Sequence, residues 1–161
     1  MLMAIPSTLF AICVVSALGT GVMNLLLAIM VSMIPQFAMI VRSSVLTIKG
    51  SEFIEAAQCG GTSTARIIMR HIIPNAMGPI IVQATLALGG VILTAASMSF
   101  IGLGVQPPEP EWGAILTEGQ EFMRDYPYLV IFPGVTIMMA VLACNFLGDG
   151  LRDALDPKLK Q

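Results

Sequence analysis

Few residues of this chain carry side chains that do chemistry. There is one histidine, His71, and there are three cysteines, Cys13, Cys59 and Cys144. A zinc protease needs two histidines one helical turn apart with a glutamate beside the first, and no His-Glu-x-x-His occurs. The Gly-x-Ser-x-Gly turn that exposes a hydrolase serine is also missing. So is the glycine-rich, lysine-ended loop that cradles nucleotide phosphates, so nothing in the chain signals ATP hydrolysis of its own. The cysteine spacing fits neither a disulfide framework nor a zinc site, and the three read as small apolar fillers. His71 follows Arg70 at an expected helix end, where it serves the helix dipole better than it serves proton transfer. The expectation is a non-enzyme without catalytic residues, metal or cofactor; a metal-handling protein built on His71 and the cysteines is the rival. What remains is charge. No charged side chain precedes Arg42, and then Arg42, Lys49, Glu52, Glu55, Arg66, Arg70 and His71 follow within some thirty positions.

The elements that must position this charged stretch are apolar. Of 161 residues 56% are hydrophobic and only 11% charged, with a mean hydropathy of +0.85. Soluble domains carry about 25% charged residues. Residues 1–41, the stretch between Arg70 and Glu109, and the stretch between Asp125 and Asp149 lack Asp, Glu, Lys and Arg altogether. A helix needs about 20 apolar residues to cross a bilayer. The fold expected is therefore all-α and polytopic: one transmembrane domain over residues 1–161, with spans at 2–18, 22–41, 76–102 and 128–147. Gly19-Thr20-Gly21 supplies the turn between the first two. The apolarity is continuous rather than alternating, which argues against a β-barrel. The net charge of −2 gives no reason to expect a nucleic-acid partner.

Lysine and arginine set the orientation. Arg42, Lys49, Arg66 and Arg70 lie between the second and third spans, and Arg152, Lys158 and Lys160 follow the fourth. Four crossings put both regions on one side. Loop 103–127 holds a single basic residue, Arg124, against Glu109, Glu111, Glu118, Glu121 and Asp125. Loop 42–75, the tail 148–161 and both termini are thus expected in the cytoplasm, and loop 103–127 outside. Met1 begins directly on an apolar run with no positive lead, which suggests the C-terminal part of a longer membrane domain.

Within loop 42–75 two short helices are expected. Ser51 caps the first, with Glu52 and Glu55 at its positive end and Phe53, Ile54 and Ala57 on one face. Gly60-Gly61 ends it, with the left-handed turn expected at Gly61 and Gly60 able to share it. Thr62 or Ser63 opens the second, with Ala65, Ile68 and Ile72 as its apolar stripe and Arg66 and Arg70 one turn apart. Pro74 breaks it and starts the third span. In that span Gln83, Ala87, Gly90, Thr94 and Ser97 form a small, polar seam. Such a seam packs membrane helices closely or lines a solute path, and both readings stay open. Asn24, Gln36 and Asn145 carry the same ambiguity. In the external loop, Pro107-Pro108-Glu109-Pro110 is stiff, residues 111–125 form a short amphipathic helix, and Trp112, Tyr126 and Tyr128 suit the membrane–water interface.

Glu55-Ala56-Ala57, with Gly61 following and His71-Ile72-Ile73-Pro74 closing the stretch, resembles the EAA loop of ABC-importer permeases. The chain departs from that pattern at His71 and Ile73, where isoleucine and leucine are usual. The segments RHIIPNAMGPIIVQATLALGGVILTAASMSFIGLGVQPPEPEWG and LGDGLRDALDP resemble, in one register, the permease subunits of dipeptide, oligopeptide and nickel importers. The resemblance implies an inner-membrane permease subunit, bacterial or archaeal, of an importer for peptides or a related solute, glutathione-like or a nickel complex included. Its partners would be cytoplasmic ATPase subunits, a second and different permease, an external solute-binding protein and membrane lipid. It implies an ATPase-coupling role for Glu55, Ala56, Ala57, Gly61, Arg66, Arg70 and Pro74, and it leaves Gln83, Thr94 and Ser97 as candidates for the substrate pathway. Permeases of the family carry further helices ahead of the region matched. A truncated, non-transporting scaffold that binds the ATPase is the alternative.

The topology is open to test in a cysteine-free background. A membrane-impermeant thiol reagent on intact cells should label a cysteine at Glu118 and spare one at Thr64; the reverse pattern means an inverted chain.

Overall fold

The computed structural model describes residues 5–155, and within them the chain is helical with no strand. In order come α1 (Ser7–Leu18), α2 (Val22–Lys49), α3 (Glu52–Cys59), α4 (Thr64–Ile67), a π-helical turn (Ile68–Ile72), α5 (Ile73–Phe100), α6 (Trp112–Gln120) and α7 (Tyr128–Leu155). Three helical stretches are long and apolar enough to cross a membrane: Val22–Lys49, the unbroken Thr64–Phe100 and Tyr128–Leu155. At 1.5 Å per residue the 37 residues of the second measure about 55 Å, and the 28 residues of each of the others about 42 Å. A hydrocarbon core is about 30 Å thick. All three helices therefore outlast the membrane, and their ends become rigid posts in water. The chain is a polytopic membrane protein.

Two expectations about spans change. The expected first span began at residue 2, and residues 2–4 lie outside the described residues. The helix described, α1, has 12 residues and a reach of about 18 Å, short of a full crossing by itself. It packs instead as an antiparallel partner of α2, and Ala11 and Val15 are buried against Leu25, Ala28 and Ile29. Asn24 closes the turn between them, its side-chain amide donating to the carbonyls of Leu18 at 2.9 Å and Gly19 at 3.2 Å. The second correction concerns Pro74, which does not break its helix. The Ile73 N–H bonds the carbonyl of Ile68, five residues back, and this wide π turn meets the proline at the second position of α5. A π turn loosens the backbone just where the proline ring would collide with the preceding turn, so the helix runs on. The same π turn moves the buried stripe. Ile67 and Ile72 face inward, whereas Ala65 and Ile68 are exposed. Five residues separate the two buried isoleucines, a spacing that suits a π turn and not an α-helix.

α5 and α7 form the most extensive helix pair, and Gly89 and Gly148 permit it. A Cβ at Gly89 would stand 3.2 Å from Asn145 Oδ1 and from Val141 Cγ1. One at Gly148 would meet the Leu86 side chain. At the other end of α5, the buried Ser99 hydroxyl accepts from the Val105 N–H at 3.1 Å and folds the chain back toward α6. The Thr117 hydroxyl of α6 donates to the Phe100 carbonyl at 3.0 Å. Helix α6 is therefore docked on α5 and α7, and it covers residues 112–120 rather than the expected 111–125.

Gly89 and Gly90 give an internal contrast, since nothing lies within 4 Å of a Cβ at Gly90. Gly89→Ile should cost about 1–3 kcal/mol by overpacking, and Gly90→Ile should leave thermal stability in detergent unchanged. Melting curves of both variants in the same detergent check this.

Candidate functional site

The charged stretch folds into an elbow carried on two posts. α2 continues as a helix through Arg42 to Lys49, so the loop expected at 42–75 is helical for its first eight residues. Ser51 occupies the N-cap position of α3 with extended backbone, as expected of a helix start. Its hydroxyl, however, donates back to the Ile48 carbonyl and makes no cap bond to α3. Serine thus ties α3 to the end of α2. Glu52 and Glu55 lie in the first turn, where the helix dipole favours carboxylates.

α3 ends in a Schellman motif. The Thr62 N–H bonds the Ala57 carbonyl at 3.1 Å, and the Gly61 N–H bonds the Gln58 carbonyl at 2.9 Å. Gly61 has φ +73°, while Gly60 has φ −73°. The left-handed turn therefore falls on Gly61 alone and is not shared. The spacing Ala57-x-x-x-Gly61 thus has a physical reading. The second alanine supplies the acceptor, and four residues later only glycine takes the required φ without strain.

A small core holds the elbow rigid. Ile54 is 1% exposed, Ile67 5% and Ile72 9%, with Val45, Ile48 and Ala57 packed around them. Helix α3 is thereby clamped between the end of α2 and the start of the long helix. Phe53, expected on one face with Ile54 and Ala57, is exposed whereas Ile54 is buried, and its ring lies 6.3 Å from that of His71 at a 52° tilt. Glu55, Ala56, Gly61, Arg66, Arg70 and Pro74 are exposed, and Ala57 is half-buried. The elbow presents a rigid, mixed apolar and charged surface. Sequence reading singled out neither Ile67 nor the shared core; the signal was the five-residue step from Ile67 to Ile72, which a 3.6-residue count passes over.

The second feature lies deeper. Gln83, Ala87, Gly90 and Thr94 of α5 face Ser32 and Gln36 of α2 across a cavity of about 280 Å³. The Thr94 hydroxyl donates to the Gly90 carbonyl at 2.8 Å. Ser97 is not among the lining residues; it is exposed, and its hydroxyl donates to the Leu93 carbonyl at 2.7 Å. Of the seam, four residues meet in one cavity and the fifth stands apart. The tight approach of α5 to α7 falls at Gly89, one residue off the seam. Gln83 and Leu86 also line a larger groove of about 900 Å³ between the start of α5 and the end of α7. Among the isolated polar residues, Gln36 faces the cavity, Asn145 abuts Gly89 and Asn24 closes a turn.

In loop 103–127 Glu111 accepts from the Ala114 N–H at 2.9 Å and caps α6, which leaves the other four acids of the loop exposed. Tyr126 and Tyr128 pair edge to face at 6.0 Å. Among the described residues no group of three His, Cys, Asp or Glu could hold a metal ion. The three cysteines are free.

Comparison with known proteins agrees with this architecture. The model of the family described as binding-protein-dependent transport system inner membrane component matches residues 1–161. A dipeptide transport system permease protein of Alkalihalophilus pseudofirmus is 50% identical over 159 residues, covering 99% of this chain and 52% of the relative. Glutathione transport system permease proteins of Escherichia coli O1:K1 / APEC and Shigella flexneri serotype 5b are 48% identical over the same coverage. The chain spans about half the length of the curated relatives it matches.

A Cβ at Gly61 would meet nothing within 4 Å, so a substitution there costs only backbone strain. That strain is about 1 kcal/mol or more in the left-handed region, and larger for a β-branched residue. Amide exchange over residues 52–63 should quicken about fivefold in Gly61→Ala and further in Gly61→Val, with the rates in α5 unchanged.

Proposed function

Because the chain belongs to the family of binding-protein-dependent transport system inner membrane components, we infer that it acts as a permease subunit of an ATP-driven importer and that its elbow is the part an ATPase moves. The observation that carries the reading is the Ile54–Ile67–Ile72 core. A partner pressing on the exposed face of α3 displaces the ends of two membrane helices together, because the core leaves α3 no separate motion. Glu55, Ala56, Arg66 and Arg70 supply the exposed surface, Ala57 and Gly61 the turn, and Pro74 the junction to the membrane helix. In this reading the elbow and the tail face the cytoplasm, in keeping with their lysines and arginines.

The substrate path runs along the seam. Gln83 and Thr94 line the inner cavity with Gln36 and Ser32 opposite, a set of amide and hydroxyl groups suited to a polar, uncharged backbone. Peptides and peptide-like solutes have that chemistry, and the relatives' names, dipeptide and glutathione, point the same way. The nickel-complex option has no comparable support in the residues. The working assembly would add two ATPase subunits, a second permease and an external solute-binding protein that meets α6 and the exposed acids beside it.

Transport assays with the full-length permease in its complex test both parts. Ile54→Ala should insert normally yet lose most of the stimulation of ATP hydrolysis by substrate-loaded binding protein, and Glu55→Ala should show a milder version of the same defect. Gln83→Leu should alter substrate preference with complex yield intact. Normal uptake in Ile54→Ala removes the elbow from the mechanism, and a drop in yield without altered preference in Gln83→Leu reassigns the seam to packing.

A further inference from the structure

The groove between α5 and α7 is not needed for the coupling role of the elbow, and its chemistry differs from that of the inner cavity. Most of its wall is apolar, with Met77, Ile81, Val82 and Leu86 on α5 and Leu155 on α7, and its uncharged polar residues are Asn75 and Gln83, the latter shared with the inner cavity. Among the described residues its one charged lining residue is Arg152. The two helices touch where Leu86 meets Gly148 and leave space toward the start of α5, where nothing lies within 4 Å of a Cβ at the groove residue Gly78. The groove is thus a wedge, closed at Leu86 and open at Pro74 and Arg152.

Its dimensions fit one membrane leaflet. From Pro74 to Leu86 the α5 backbone rises about 18 Å, at 1.5 Å per residue. Half of a 30 Å hydrocarbon core is about 15 Å. Arg152 lies beyond the uncharged run that ends before Asp149, at the level where a basic residue meets lipid headgroups. A mostly apolar wedge as deep as one leaflet, with a guanidinium at its mouth, matches a phospholipid lying along the helices: acyl chain against Ile81, Val82 and Leu86, anionic headgroup at Arg152. We propose that this groove is a binding site for an anionic phospholipid, with Arg152 as the headgroup contact. Arginine suits the role because its planar fork pairs with phosphate oxygens two at a time. The inference does not depend on the transport reading.

The test uses the purified, delipidated transporter that contains this chain, supplied with phosphatidylglycerol or phosphatidylcholine and observed by native mass spectrometry. The intact protein should retain phosphatidylglycerol over phosphatidylcholine. A basic residue near the membrane surface contributes about 1 kcal/mol, so Arg152→Gln should reduce that preference about fivefold. Val82→Trp should displace the lipid with the charge untouched, and Arg124→Gln in the external loop should have no effect. Equal retention of both lipids by the intact protein, or an unchanged preference in Arg152→Gln, overturns the proposal. So does failure of Val82→Trp to lower occupancy, which places the bound lipid elsewhere. A cysteine at position 82 that stays shielded from a membrane-soluble maleimide after complete delipidation means that protein fills the groove, and also overturns it.

Discussion

The burial of Ile54 against Ile67 and Ile72 is the contact on which the architecture of the elbow depends. Full burial of an isoleucine side chain contributes about 1.5–3 kcal/mol, so the three together supply several kcal/mol at the upper bound. Coupling between two sites in a protein is typically about 1–3 kcal/mol. In the proposed coupling role, a clamp stronger than the signal would transmit it without yielding. This is why α3, with only 8 residues and no cap bond from Ser51, can hold its shape in water. A helix of that length is not stable alone. Its stability is borrowed from the posts on which it stands, and that loan is also its mechanical link to them.

The same economy appears inside the membrane, where adjacent glycines divide the work. Gly89 brings α5 against α7, and Gly90, turned about 100° around the helix, opens on the cavity beside α2. The two α5 faces thus serve cohesion and the cavity separately, so a change on one leaves the other standing. Much of the surface of the long helices remains apolar and exposed, Met138, Met139, Phe146 and Leu147 of α7 among it. That surface belongs to lipid or to neighbouring chains, since membrane helices bury little within a single small bundle.

Much of this was legible in the sequence because the constraints were local. Uncharged runs mark the long helices, Gly19-Thr20-Gly21 the turn between α1 and α2, and the Gly60-Gly61 pair the end of α3. Two of the misreadings share one cause. Pro74 looked like a stop and Ala65-Ile68-Ile72 like a stripe because an unbroken α-helical period was assumed. The π turn changed both at once. Phe53, grouped with Ile54 and Ala57 on one face, stays exposed, because Ile54 and Ala57 are the α3 side chains packed in the clamp. The direction taken by Ser51 was out of reach for another reason. A serine hydroxyl can serve either neighbour, and only the approach of α2 to α3 decides. The seam could be found by spacing, but which of its members share a cavity required α2 to be in place, and Ser97 was the one it left out.

If the Ile54 core is rigid, α3 and the end of α2 move as one body, and the distance across their joint reports it. Spin labels at Lys49 and Gln58, both exposed, report across the joint in the transport-competent complex, with nucleotide absent and with ATP trapped. The account predicts the same narrow distance distribution in both states. A shift of about 5 Å or more, one helical turn, or a broadening in one state only, would show that the joint bends and that α3 does not carry the helices with it.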